Sequence, residues 1–155
     1  ENLKYFAALG GIIVVAIIAF CLTSIYKIDT DEMEPVISKG SFLFVDKYEY
    51  TDADPKFGEV IVFKNMKMPE RSIKRIVGCP GDAVEITNGI LMHNNKVIKE
   101  EYLNIPSAVL MPKVTVPRDK YFVLNDNREK TSDSRSKQVC FVGKKEIIGR
   151  VVLVF

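Results

Sequence analysis

The chain has 155 residues, with 22 Lys and Arg against 20 Asp and Glu, and a formal net charge of +2. That length holds one medium-sized core plus a short appendage. The balanced charge, without a long Lys/Arg run, excludes a nucleic-acid-binding surface, and the three cysteines lack metal-ligand spacing, so no metal or cofactor is expected.

The first element is an uncharged run over 5–26 dominated by Ile, Val, Ala, Leu and Phe, long enough to cross a bilayer core. A cleavable signal peptide has a shorter apolar core and small residues before its cut site, and no A-x-A pattern precedes Lys27. A buried soluble helix would show a polar face, and this run has none. The sequence predicts one transmembrane anchor over 1–26 and an extracytoplasmic domain over 27–155. Lys4, beside Glu1, gives only a weak positive-inside signal; we favour the amino terminus inside and the domain outside. The start at Glu1 rather than Met implies some upstream sequence. Cys21 lies in the span, where the bulky Phe20 before it argues against lipidation.

Beyond the span the chain reads as short strands. Apolar, β-rich runs bounded by turn residues occur at 41–47, 59–64 and 72–78. Residues 82–87 alternate, with Val84 and Ile86 on one face; Asn88-Gly89 is a hairpin signal, 90–93 the return strand, and Asn94-Asn95 a second tight turn into 96–98. Residues 99–117, with Pro106, Pro112 and Pro117, read as an irregular excursion, so 82–118 forms a smaller meander and excursion. Strong strands follow at 120–124 and 147–155, with the only helical turn expected near 143–147. The direct reading is a mainly β, antiparallel domain. His93, the single histidine, is read as an exposed strand-end residue. Cys79 and Cys140 could pair outside the cell, but single buried thiols are the preferred reading.

Four segments carry the chemistry: Thr30-Asp31-Glu32-Met33-Glu34-Pro35, FGEVIVF at 57–63, IKRIVGCPGD at 73–82 and NDNREKTSDSR at 125–135. Their order and content resemble the conserved boxes of type I signal peptidases, the membrane-bound serine–lysine endopeptidases of the peptidase S26 family that cut signal peptides. The resemblance implies a signal peptidase I-like antiparallel β-domain behind one transmembrane helix. In that family a serine precedes the methionine of S-M-x-P and attacks the scissile carbonyl. A buried lysine takes its proton, because desolvation disfavours the ammonium form. By this resemblance Lys74 stands at the general-base position, Thr30 at the oxyanion hydroxyl and Thr131 at the lysine-orienting hydroxyl. Met33, Pro35 and Ile73 stand at substrate-binding positions. Arg75, Asp126, Arg128, Asp133 and Arg135 are structural, the last two as a supporting ion pair. Asn125 stands at a usual glycine and Val36 at a usual threonine.

Glu32 occupies the serine position. It has no hydroxyl, and acylating its carboxylate would give a high-energy mixed anhydride. A carboxylate within about 4–6 Å of Lys74 favours the ammonium, the wrong form for a general base. Ser38 and Ser41 lie too far along the chain to reach near-attack geometry. Asp31 and Glu34 add carboxylates, but acid-protease chemistry needs a shared proton, which a nearby lysine opposes; they are read as solvated. The departure at Val36 favours a natural substitution at Glu32 over an engineered one.

The resemblance extends to signal peptidase-like proteins with altered dyads that assist sortase-dependent pilus polymerisation in Gram-positive bacteria. It implies a non-catalytic, peptide-binding or chaperone-like factor at the plasma membrane. Its partners would be the extended peptide of a secreted or pilin protein and a pilus sortase system. Two other readings stay open: an active type I signal peptidase removing signal peptides from preproteins, and a tethered β-domain with a structural role.

Overall fold

The computed structural model describes residues 5, 6, 8–14, 23–68, 70–103 and 109–155. The strands in chain order are β1 (Thr23–Lys27), β2 (Phe42–Asp46), β3 (Val60–Phe63), β4 (Ser72–Gly78), β5 (Ala83–Thr87) and β6 (Ile90–His93). They continue with β7 (Lys96–Val97), β8 (Met111–Thr115), β9 (Lys120–Leu124), β10 (Val142–Gly143) and β11 (Ile147–Val154). Every pairing is antiparallel. A seven-stranded sheet runs β1-β2-β11-β3-β4-β9-β10, and a four-stranded sheet runs β7-β6-β5-β8.

Period-two alternation and turn chemistry explain the small sheet. Val84 and Ile86 of β5 are buried, while their neighbours along the strand stay partly exposed. Asn88 and Gly89 take φ of 51° and 78°, and Asn94 and Asn95 take 51° and 64°. Positive φ at both central residues matches the twist of a two-residue hairpin. Val84, Ile86 and Leu91 then pack on Val77, Phe122 and Leu124, joining the small sheet to β4 and β9. At this junction Asp82 accepts hydrogen bonds from the Cys79 amide at 2.7 Å and Asn94 Nδ2 at 2.8 Å, and its carboxylate lies 2.8 Å from His93 Nε2. Burial works against the Asp82 charge, but these partners outweigh it and hold the carboxyl below its ordinary range. His93 ends β6 as expected, but it is half-buried at this junction with Phe57 against its ring rather than exposed.

In the large sheet β11 bridges β2 and β3 and irregularly shifts register between Ile147 and Gly149. A Cβ on Gly149 would sit 2.2 Å from the Asp46 carbonyl oxygen, a backbone atom that cannot step aside. Gly149→Ala is therefore expected to destabilise the fold by about 3 kcal/mol through overpacking, read as a lowered denaturation midpoint with an unchanged slope. An unchanged midpoint would show that the β2–β11 pairing gives way easily.

Several expectations are corrected. Positions 23–26 of the expected span belong to β1, in register with β2 from Thr23↔Asp46 to Lys27↔Phe42. Residues 5, 6 and 8–14 are helical, but no helix among the described residues is long and apolar enough to cross a membrane. Residues 15–22 of the span, Cys21 among them, and Pro106 lie outside the described residues. The excursion at 99–117 contains β8, which pairs with β5. A short helix at Glu49–Asp52 joins the expected turn at Lys144–Glu146. Cys79 and Cys140 are both free thiols, but Cys79 is half-buried and Cys140 exposed, so neither is the buried thiol expected.

Candidate functional site

Met33 and Ile37 anchor the turn after β1. They are 2% and 1% exposed and pack with Ile28, Leu43, Val45 and Val62, while the Ile37 amide donates to the Met33 carbonyl at 2.8 Å. The Met33 side chain, expected at a substrate-binding position, fills the core beneath the turn. Pro35 is exposed, and Ile73 is half-buried against the same cluster.

With Met33 turned inward, Glu32 meets β4. Lys74, in register with Ile61 of β3, is wholly buried, and its Nζ donates to Glu32 Oε2 at 2.7 Å. The other oxygen, Oε1, accepts a short hydrogen bond from Ser132 Oγ. The Glu32 carbonyl accepts from the Asn127 amide at 2.9 Å, and Asn127 Nδ2 donates to the Asp31 carbonyl at 3.2 Å. Lys130 pairs with Asp31 at 3.0 Å across the same seam and holds its carboxyl below the usual range. The turn and the 125–135 loop are therefore joined through both side chains and backbone.

The loop is held by buried ion pairs. Asp126, 2% exposed, receives Arg75 Nε at 2.8 Å and Nη2 at 2.6 Å. Arg75 Nη1 donates to the Gly58 carbonyl at 2.8 Å, so one guanidinium ties the second, third and fourth boxes together. Burial opposes the Arg75 charge, yet Asp126 outweighs it and raises the group above its ordinary value. Asp133 receives Arg135 Nε at 2.8 Å and the Asn125 amide at 3.0 Å; Arg128 donates to the Asn125 carbonyl at 2.9 Å. Such bidentate, charge-assisted bonds fix geometry as well as energy.

The hydroxyl on Glu32 is that of Ser132, while Thr131, expected at the lysine-orienting position, is exposed. Asn125 supplies a reason. Its Nδ2 donates to the Lys130 carbonyl at 3.1 Å and to Ser132 Oγ at 3.4 Å, gripping the loop on both sides of Thr131. A glycine at 125 could make neither bond. Asn125 Oδ1 is buried without a partner, at a desolvation cost of about 1–3 kcal/mol. Thr30 is exposed beside the turn. Ser132 and Asn127 lie inside the fourth box, but nothing in their spacing singled them out.

Both oxygens of Glu32 are engaged, one by an ammonium and one by a hydroxyl. No hydroxyl stands at the nucleophile position, and the amine that would serve as base is committed to an ion pair. Among the described residues no group of three His, Cys, Asp or Glu could hold a metal ion. A groove of about 400 Å³ opens elsewhere, between β3 and β11, lined by Val36, Ile37, Val60, Arg75, Arg150 and Val151. Arg75 borders it, but Lys74 and Glu32 do not.

The comparisons with known proteins agree on one family. A family model described as signal peptidase, peptidase S26, matches residues 3–155. Signal peptidase I P of Bacillus subtilis subsp. natto is 33% identical over 96% of this chain and 85% of its own length. The probable signal peptidase I-2 of Synechocystis is 35% identical over 83% of this chain, which spans 61% of that relative. A crystal structure of a signal peptidase I from Enterococcus faecalis superposes with a TM-score of 0.55 at 28% identity, covering 64% of this chain and 98% of the other. With the boxes in order and the sheet that carries them matched, the chain belongs to the signal peptidase family, peptidase S26.

Proposed function

We propose that this chain is a non-catalytic, membrane-anchored member of the family that binds an extended peptide without cutting it. The observation that carries the reading is the 2.7 Å Glu32–Lys74 pair. It removes the nucleophile and occupies the base in one substitution, while the surrounding ion pairs still hold the boxes together. Main-chain pairing of a peptide strand between the first and third boxes needs neither group. The ligand we assign is the signal-peptide region of a secreted or pilin protein, and the setting is sortase-dependent pilus polymerisation on a Gram-positive plasma membrane. That setting rests on the altered centre and on family resemblance.

The anchor over 1–26, ahead of an extracytoplasmic domain over 27–155, is part of the proposal, with 23–26 reassigned to β1. It is supported by the exposed Leu9, Ile12, Ile13 and Val14 of the helical residues 8–14, apolar surface that needs a cover other than water. A catalytic reading is favoured by the retained Lys74 and by the relatives' names; it would need Ser132 as a substitute nucleophile.

The test uses the full chain in detergent. A fluorescent peptide spanning a pilin signal-peptide junction should bind saturably, emerge uncut after prolonged incubation, and crosslink near the turn at 30–35. Release of a cleaved product by the unaltered protein would sink the non-catalytic reading. Absence of saturable binding would sink the peptide-binding one.

A further inference from the structure

We propose that Glu100 and Tyr102 are positioning residues for the Glu32–Lys74 centre, forming a strap from the small sheet that fixes the 125–135 loop against the turn carrying Glu32. The proposal rests on reading that centre as the functional site.

The strap begins where β7 ends. The Ile98 amide donates to the Leu91 carbonyl at 2.9 Å, and Ile98 packs on the core cluster shared with β4 and β9. The Leu103 amide closes a turn on the Glu100 carbonyl at 3.0 Å. Within that turn the Glu100 carboxylate, 6% exposed, receives Arg128 through both terminal nitrogens, Nη1 at 2.8 Å and Nη2 closer still; the Arg128 side chain is 3% exposed. The Tyr102 hydroxyl donates to the same carboxylate, and its ring lies 4.2 Å beneath the Arg75 guanidinium. Burial, then Glu100 itself, push that hydroxyl above its ordinary range, so it remains a donor.

Three consecutive residues of the loop then face three different partners. Asp126 grips Arg75 of β4, Asn127 grips the backbone of Asp31 and Glu32, and Arg128 grips Glu100 of the strap. Asn127 sits between two anchored neighbours, so its amide keeps its place only while both hold. In this network the guanidinium groups of Arg75, Arg128 and Arg135 face the carboxylates of Asp126, Glu100 and Asp133. Removing the Glu100 charge leaves Arg128 buried against a carbonyl alone, an uncompensated arrangement that drives the side chain toward water. The first bonds to loosen are those of Asn127 and Ser132 to Glu32. A merely structural strap would instead weaken the small sheet and the loop together.

The test compares Glu100→Gln, Tyr102→Leu and Leu91→Ala, the last a core control within the small sheet. Hydrogen exchange is followed in the full chain in detergent, in peptides covering 126–134 and 83–93. Glu100→Gln and Tyr102→Leu should accelerate exchange at 126–134 by about tenfold while 83–93 stays protected, and Leu91→Ala should do the reverse. In a Glu32→Ser background that cleaves a preprotein, Glu100→Gln should lower kcat with KM nearly unchanged. Parallel acceleration of both segments, or none at 126–134, overturns the proposal. The exchange result stands without any cleavage, so a silent Glu32→Ser protein counts against the preserved site and not against the strap.

Discussion

Glu32→Ser is expected to switch on cleavage of a preprotein bearing an Ala-x-Ala site, which the unaltered protein leaves intact. The substitution returns a hydroxyl to the nucleophile position and removes the carboxylate that engages Lys74. Lys74 is wholly buried, and a buried amine without a counter-charge favours its neutral form, the form a general base needs. Removing one member of a coupled serine-protease centre costs about 10⁶-fold in kcat, and a misplacement of about 1 Å costs about 100-fold. Restoration in a site never selected for turnover should therefore reach about 10⁴-fold over the unaltered chain. Gel-resolved cleavage, with Lys74→Met added as the silent control, measures it. A folded Glu32→Ser protein that cleaves nothing would show that the site had drifted beyond its nucleophile. Cleavage that survives Lys74→Met would rule out the serine–lysine route.

The parts legible in the sequence were those where one local rule acts alone. Residues 72–78, 90–93 and 120–124 carried β-rich runs closed by turn residues, and they are strands over those same positions. β1 was hidden because Ile25 and Tyr26 continue the apolar run before them, and only pairing with β2 distinguishes strand from span. β8 was hidden by Pro112, which argues against a strand; but β8 is the edge of its sheet, where a missing amide donor is tolerated. β10, two residues long, had no pattern to read. At the site, the resemblance to signal peptidases implied that Glu32 and Lys74 meet, and their side chains pair at 2.7 Å. The resemblance could not place Ser132 over Thr131. That choice follows from the Asn125 side chain, a tertiary contact from the far end of the loop. Glu100 and Tyr102 were equally invisible, since their partners lie tens of residues away.

Breaking the Glu32–Lys74 pair from the glutamate side is expected to destabilise the protein more than breaking it from the lysine side. The two side chains are unequal: Lys74 is 0% exposed, whereas Glu32 is 22% exposed. Glu32→Leu strands an ammonium with no route to water, and losing one partner of a buried pair costs about 3–5 kcal/mol. Lys74→Met leaves a carboxylate that keeps the Ser132 hydroxyl and partial hydration, so its cost should be about 1–2 kcal/mol. The double variant removes both charges together and should return to within about 1 kcal/mol of the unaltered protein, because an apolar pair of similar volume replaces a desolvated ion pair with little net change. The coupling between the sites should then be at least about 3 kcal/mol, well beyond the additivity error of separate positions. Denaturation midpoints in detergent measure these costs. Equal single costs, or strictly additive ones, would mean that the pair does not hold the turn and β4 together.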